Sequence, residues 1–200
     1  MSAQQIIPSL PTGNRARGHR VGRTWRWFGL GVVLLGGHLA WAAEAAVPKE
    51  YQLKAAFLYN FTKFVEWPPD RFAEATSPIV IGVVGRNPFG DELDKITRGR
   101  TVNRRAILVK IITRADEVLS VHLLFVPAGE ENRLPATAWQ NIAVVAVGES
   151  EAFAAEHGTI IFRRAEDKVR FEINITAAEK SELKISAQLQ KLAIAVRRNP

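Results

Sequence analysis

Histidine, cysteine, serine and paired acids are the side chains best able to do covalent or metal chemistry, and each is poorly placed for it here. The chain has no cysteine, which excludes a thiol nucleophile, a disulfide and a thiol-based redox switch. Beyond residue 46 there are two histidines, His122 and His157. Neither has a second histidine or a carboxylate at metal-ligand spacing, so no metal site is expected. His157 precedes Gly158 and reads as a helix-end group. His122 opens an apolar run and reads as structural. Serines lack an elbow motif, and Ser186 is explained as a helix cap. Glu130–Glu131 and Glu149–Glu151 fall in loops or helix starts, where acids are common for dipole reasons. No catalytic set emerges, no cofactor is implied, and an enzyme is not expected.

One junction has a weak binding signal. "IGVVGRNPFGDEL", Ile81–Leu93, sets Gly85 and Gly90 between an apolar run and a helix start. Gly85, Arg86 and Asn87 could cradle an anion there. The stretch lacks G-x-G-x-x-G and a P-loop lysine, and glycine is also what a tight turn needs. The basic loop Thr97–Arg105, "TRGRTVNRR", would add to such a site only by folding over it.

These residues must be positioned by recognisable elements. "KAAFLYNFTKFVEWPPD", Lys54–Asp70, is dense in aromatics. Leu53, Phe57, Phe61, Phe64 and Val65 recur at helical spacing beside Leu58, with Gln52, Asn60 and Lys63 opposite. The spacing predicts a core helix from Pro48 that stops by Trp67, ahead of Pro68 and Pro69. Ile79–Val84, Ile107–Ile112, His122–Val126 and Ile142–Val147 are continuous apolar runs, as in strands buried on both faces of a parallel sheet. Phe89–Ile96, Ala115–Leu119 and Glu149–Glu156 lie between or after them with helical character. Thr159–Arg164 and Lys168–Ile175 flank "AED" and read as an antiparallel hairpin. The expectation is an α/β fold: a mostly parallel central sheet flanked by helices, with a C-terminal antiparallel hairpin at the sheet edge.

In Lys168–Ile175, Val169, Phe171, Ile173 and Ile175 face one way. Lys168, Arg170, Glu172 and Asn174 face the other, toward solvent or a partner. "TAAEKSEL" then predicts a short helix. Ser186 caps a last one, in which Leu189, Leu192, Ala193 and Val196 share a core-like face.

The formal charge is +7 in 200 residues, but much of it lies in one place. Arg15, Arg17, Arg20, Arg23 and Arg26 precede the first acid, Glu44. Removing those five from 27 basic residues leaves 22 against 20 acidic ones. The remainder therefore lacks the electrostatic signature of a nucleic-acid binder. After the arginines come "FGLGVVLLGGHLA", Phe28–Ala40, and small residues in "AWAAEAA". That order is that of a cleavable export signal, and the apolar run is shorter than the ~20 residues of a spanning helix. Cleavage is expected after Ala42 or Ala45. This gives residues 1–42 as signal and 48–197 as one folded, periplasmic domain.

Two stretches taken together resemble the YfiR family. They are "YQLKAAFLYNFTKFVEWP" and "VGESEAFAAEHGTIIFRRAEDKVRFEINITAAEKSELKISAQLQKLA". The matching segments are Lys54–Asn60, Phe64–Pro68, Val147–Phe153, Val169–Asn174 and Leu183–Ser186. The resemblance implies an exported, non-enzymatic α/β protein. It would bind the periplasmic sensor domain of an inner-membrane diguanylate cyclase, or a similar receptor, and repress it. It also implies that an outer-membrane lipoprotein can sequester the repressor, and it leaves a homodimer open. Members with disulfides can respond to reducing conditions; this chain cannot. Arg170, Glu172, Asn174, Lys184 and Ile185 are the expected partner-binding residues. The competing expectation is a small-ligand module for an anion or an aromatic metabolite at Gly85, Arg86 and Asn87.

Overall fold

The computed structural model describes residues 46–155 and 158–198. In chain order the elements begin with α1 (Lys49–Phe64), β1 (Val65–Glu66), β2 (Ile79–Val84), α2 (Glu92–Thr97), β3 (Thr101–Val102) and β4 (Arg105–Ile112). Then come β5 (Leu123–Val126), β6 (Val145–Gly148), α3 (Glu151–Ala155), β7 (Ile160–Ala165) and β8 (Lys168–Asn174). The chain closes with α4 (Ile175–Lys180), β9 (Lys184–Ile185), α5 (Ala187–Leu192) and β10 (Ala195–Arg197). The expected signal segment and its cleavage sites lie outside the described residues, as does His157.

Eight strands form one sheet in the order β10-β8-β7-β6-β5-β2-β4-β3, and β1 pairs with β9 in a separate ribbon. Neighbours from β4 through β2, β5 and β6 to β7 run parallel. β7 and β8 form the antiparallel hairpin. The expected α/β architecture is therefore the observed one. One detail goes beyond it: β10 adds in parallel outside β8, so the hairpin sits one strand in from the edge.

β2 shows why the central strands read as unbroken apolar runs. Ile79, Ile81 and Val83 enter the core under α1, while Val80 and Val84 enter a second core on the other face. With both faces covered, alternation disappears from the sequence. The second core is closed by Val118, Val121, Trp139 and Phe153. There Gly148 is required by close approach, because a Cβ on it would run into the Phe153 ring. β4 departs from the expectation. Its Leu108 and Ile111 are 46% and 45% exposed, because only a two-residue strand, β3, lies beyond it.

α1 stops at Phe64, ahead of the prolines, where Val65 turns to extended backbone. Its aromatics are core residues. Phe61 is fully buried, 5.1 Å from Phe171 and 5.8 Å from Phe162 between ring centroids. Phe57 joins the same cluster at 5.6 Å from Phe171. The buried stripe is rotated from the expected one, however. Leu53 is 44% exposed, and Lys54 is buried in its place. The last expected core face also fails. Leu189 is buried, but Leu192 and Val196 are exposed, since the helix ends at Leu192 and Val196 belongs to β10.

Candidate functional site

Two places in this architecture gather the expected site residues. The first is the crevice at the carboxyl ends of β2, β5 and β6. In an open parallel sheet, ligands favour the point where successive strands depart in opposite directions. Here that point lies between β2 and β5, since β4 follows on one side of β2 and β5 lies on the other. The loop Gly85–Asn87 borders it. Gly85 has φ +64°, a left-handed conformation that favours glycine.

Internal groups occupy this crevice. The Glu130 carboxylate accepts a hydrogen bond from the Arg86 N–H at 3.4 Å and pairs with Arg133. That pair lies where a side chain on Gly85 would stand. Arg133 holds the Glu130 carboxyl below its usual range. The Asn87 side chain closes its own turn, accepting from the Phe89 N–H at 2.9 Å and donating to the Gly90 carbonyl at 2.8 Å. Glu131 accepts from the Gly129 N–H at 2.7 Å. Backbone donors that could have met an anion thus meet the protein's own acids.

Glu149 completes the pattern. Its carboxylate accepts from the Ala128 N–H at 2.7 Å and from the Tyr51 hydroxyl at 2.9 Å, and it is ion-paired with Lys54. Lys54 is 5% exposed and also meets Glu50 at 2.5 Å. Burial and then the Glu149 charge push the Tyr51 hydroxyl well above the ordinary phenol range. A charge buried this deeply needs its partners, so the network ties the start of α1 to the end of β6. The sequence carries no local sign of this link. Lys54 lay within a family-like segment, but nothing local pairs it with a residue so distant in the chain.

The second place is the C-terminal end of the sheet. Arg170 is exposed on β8, directly across from Arg163 on β7. Glu172 was expected beside it in solvent but is 8% exposed. Its carboxylate lies 2.7 Å from Arg197 and 3.3 Å from Arg163, because β10 packs alongside β8 and puts Ala195 opposite it. Asn174 was also expected in solvent and is buried. Its Oδ1 accepts from the Ala177 N–H at 3.1 Å and caps α4. Lys184 is exposed on β9 opposite Glu66, while Ile185 is buried against the core. The structure therefore leaves Arg170 and Lys184 open and turns Glu172, Asn174 and Ile185 to structural use. It also places Lys184 on a different sheet from Arg170.

What the sequence pattern missed here is apolar. Leu192, Ile194 and Val196 are 59%, 49% and 42% exposed along β10 and its approach. Val196 is two residues from Arg198, which pairs with Glu179 at 3.1 Å, while Arg170 and Arg197 project from the other face of the sheet. The alternation of Ile194 and Val196 with Ala195 and Arg197 was the available signal. Apolar side chains on a polar-rimmed edge are the ordinary makings of a protein-binding surface.

No helix among the described residues is long and apolar enough to cross a membrane, and no group of three or more His, Cys, Asp or Glu among them could hold a metal ion. No curated protein matches the chain. A family model described as YfiR/HmsC-like matches residues 51–194, from the first turns of α1 to the approach to β10. The match takes in both cores and the filled crevice and stops just before β10: the chain belongs to the YfiR/HmsC-like family.

Proposed function

We propose that this protein is an exported regulator that acts in the periplasm without catalysis. It docks on the periplasmic sensor domain of a membrane-bound receptor, a diguanylate cyclase, and holds it inactive. Family membership supports the regulatory reading. The observation that carries the docking reading is the C-terminal edge, where Leu192, Ile194 and Val196 are exposed along the outermost strand and its approach, with arginines at both of its faces. The apolar residues supply affinity, and Arg170 supplies orientation. Repression requires tighter binding to the inactive receptor than to the active one. An outer-membrane lipoprotein covering the same edge would release the receptor. The internally filled crevice argues against the small-ligand alternative, since the backbone donors there are already engaged.

The test is cellular cyclic di-GMP in strains carrying variants of this edge. Deletion of the protein should raise the nucleotide and surface attachment. Leu192→Glu with Val196→Glu should do the same while the melting temperature stays near that of the parent, since both side chains are exposed. An unchanged level after deletion would refute the regulator reading. Full repression by the folded double variant would refute this edge as the docking surface.

A further inference from the structure

The opposite end of the sheet has a different character. β3 covers β4 only at Thr101–Ala106 and Val102–Arg105. Past that point β4 runs on through Ile107, Leu108, Val109, Lys110, Ile111 and Ile112. The Ile112 carbonyl accepts from the Gly85 N–H at 2.9 Å, toward β2. Alternate residues of a strand point their backbone groups to opposite sides. Ile107, Val109 and Ile111 therefore direct N–H and C=O groups outward, with no strand beside them among the described residues. Leu108 and Ile111 add exposed apolar side chains to that edge.

An open, apolar edge is a template for another strand, and soluble proteins usually blunt such edges with short strands, prolines or several charges. Here the interruption is a single lysine, Lys110. Next to it a groove of about 420 Å³ runs between the end of α2 and β4, lined by Asp94, Arg98, Arg100, Ile107, Leu108 and Val109 among others. Arg98, Arg100, Arg104 and Lys110 are all exposed, and Arg100 rests over the Tyr59 ring at 5.0 Å, beside the groove. Asp94 is the single acid in the groove lining.

We infer that the Ile107–Ile112 edge of β4 is a docking site for an extended acidic segment of a partner protein, added to the sheet as a further strand. The backbone groups of Ile107, Val109 and Ile111 supply the ladder. Ile111, on the same face as Val109, contacts the apolar residues of the incoming strand, and Lys110, on the other face, selects the acidic ones. Charge decides among the occupants. A second copy of this chain would bring the same cations to the same edge, and the chain's first 43 residues contain arginines and no acid. The inference stands apart from the receptor reading, because the edge can be probed whatever the receptor is.

The probe is a fluorescein-labelled peptide of about eight residues alternating Val and Glu, about one strand in length, with a Val–Lys peptide as control. Fluorescence anisotropy on the purified protein should show saturable binding of the acidic peptide alone, weakening as salt is added. Hydrogen exchange should slow at Ile107, Val109 and Ile111. Ile111→Pro removes an outward N–H from a half-exposed residue and no bond to β2, so it should weaken binding at least about tenfold with little change in melting temperature. Lys110→Glu, which leaves the backbone intact, should weaken it as well. Absence of saturable binding, protection elsewhere, or indifference to both substitutions would overturn the inference. So would a concentration-dependent dimer that Ile111→Pro dissolves, since the edge would then serve a second copy.

Discussion

At the β10 end of the sheet, arginines meet carboxylates. Glu172 is clamped between Arg163 and Arg197, Arg163 also meets Glu151, and Arg198 meets Glu179. At the β4 end Arg100 and Arg105 meet rings and carbonyls instead, while Arg114, just past β4, meets acids. The Arg105 guanidinium lies 3.6 Å from the Phe72 ring centroid and donates to the Glu74 and Ser77 carbonyls at 2.8 Å. Phe72 in turn stacks on His122 at 4.5 Å. The β10 end thus pairs most of its arginines with acids and leaves Arg170 open, while Arg98, Arg100, Arg104 and Lys110 are exposed at the β4 end. A surface with cancelled charge binds through shape and apolar area, and one with uncancelled charge selects an acidic partner.

The largest expected effect separates the shared support from either edge. Phe61 touches Phe162 and Phe171, the hairpin residues that back the β10 end. Phe61→Ala should cost about 3–5 kcal/mol in urea unfolding. Leu108→Ala, at the other end and half exposed, should cost under about 1 kcal/mol. Similar costs at the two positions would mean that β4 is buried in solution by something seated on its edge.

Stability should depend on pH through His122, which the Phe72 ring joins to Arg105 of β4. His122 is pushed down from 6.5 to about 4 by burial, and further by the Arg71 and Arg105 charges. Its Nδ1 accepts from the Val80 N–H at 3.1 Å, so the neutral ring is the folded form. Between those values the unfolded chain binds a proton that the folded one refuses. The contribution is full above 6.5 and is lost as pH falls toward 4, amounting to about 3 kcal/mol. His122→Asn keeps an acceptor but does not titrate. From about pH 7 to pH 4 it should lose less stability than the parent by roughly that amount. Equal losses would show that His122 titrates normally in the folded state.

Glu172 comes next in size. Glu172→Gln keeps the shape but removes the charge between Arg163 and Arg197, and should cost about 2 kcal/mol. The matching change at the open end, Lys110→Gln, should cost nothing measurable. A negligible cost at Glu172 would show that its ion pairs are solvated and that the two ends are alike in charge balance.

The same contrast explains what could be read from the sequence. β2, β5 and β6 were legible because burial on both faces leaves an unbroken apolar run, and the aromatic α1 was legible from its spacing. β4 carries the same kind of run, Ile107–Ile112, yet lies one short strand from the sheet's end. Position in a sheet is set by distant pairings, which local composition does not encode. Glu172 failed for the reverse reason. Its alternation is that of a solvated face, but β10, beyond two helices and β9, returns to cover it. Leu192 and Val196 failed because helical spacing was extended past Leu192, where the helix ends. Lys54 and Glu149 pair across 95 residues, so neither residue alone suggests the link.

The smallest effect concerns the hairpins that each end carries. Asn103–Arg104 joins β3 to β4 with φ of 50° and 66°, and Glu166–Asp167 joins β7 to β8 with φ of 50° and 56°. Both are two-residue loops with left-handed backbone at both positions, a conformation that suits Asn-Gly best. Arg104→Gly produces that pair at the open end and relieves the strain of a side chain there. The added freedom of glycine in the unfolded chain offsets part of the gain, leaving about 0.5 kcal/mol. Asp167→Gly relieves less strain, since aspartate tolerates the left-handed region better than arginine; it also loses the exposed Arg164 ion pair at 3.1 Å and leaves glutamate, not asparagine, at the first position. Its gain should therefore be smaller, a few tenths of a kcal/mol at most. Thermal unfolding of the two variants side by side checks the order. If Asp167→Gly proves the more stabilising, turn strain outweighs the loss of the Arg164 pair, and charge pairing is not what firms the hairpin next to β10.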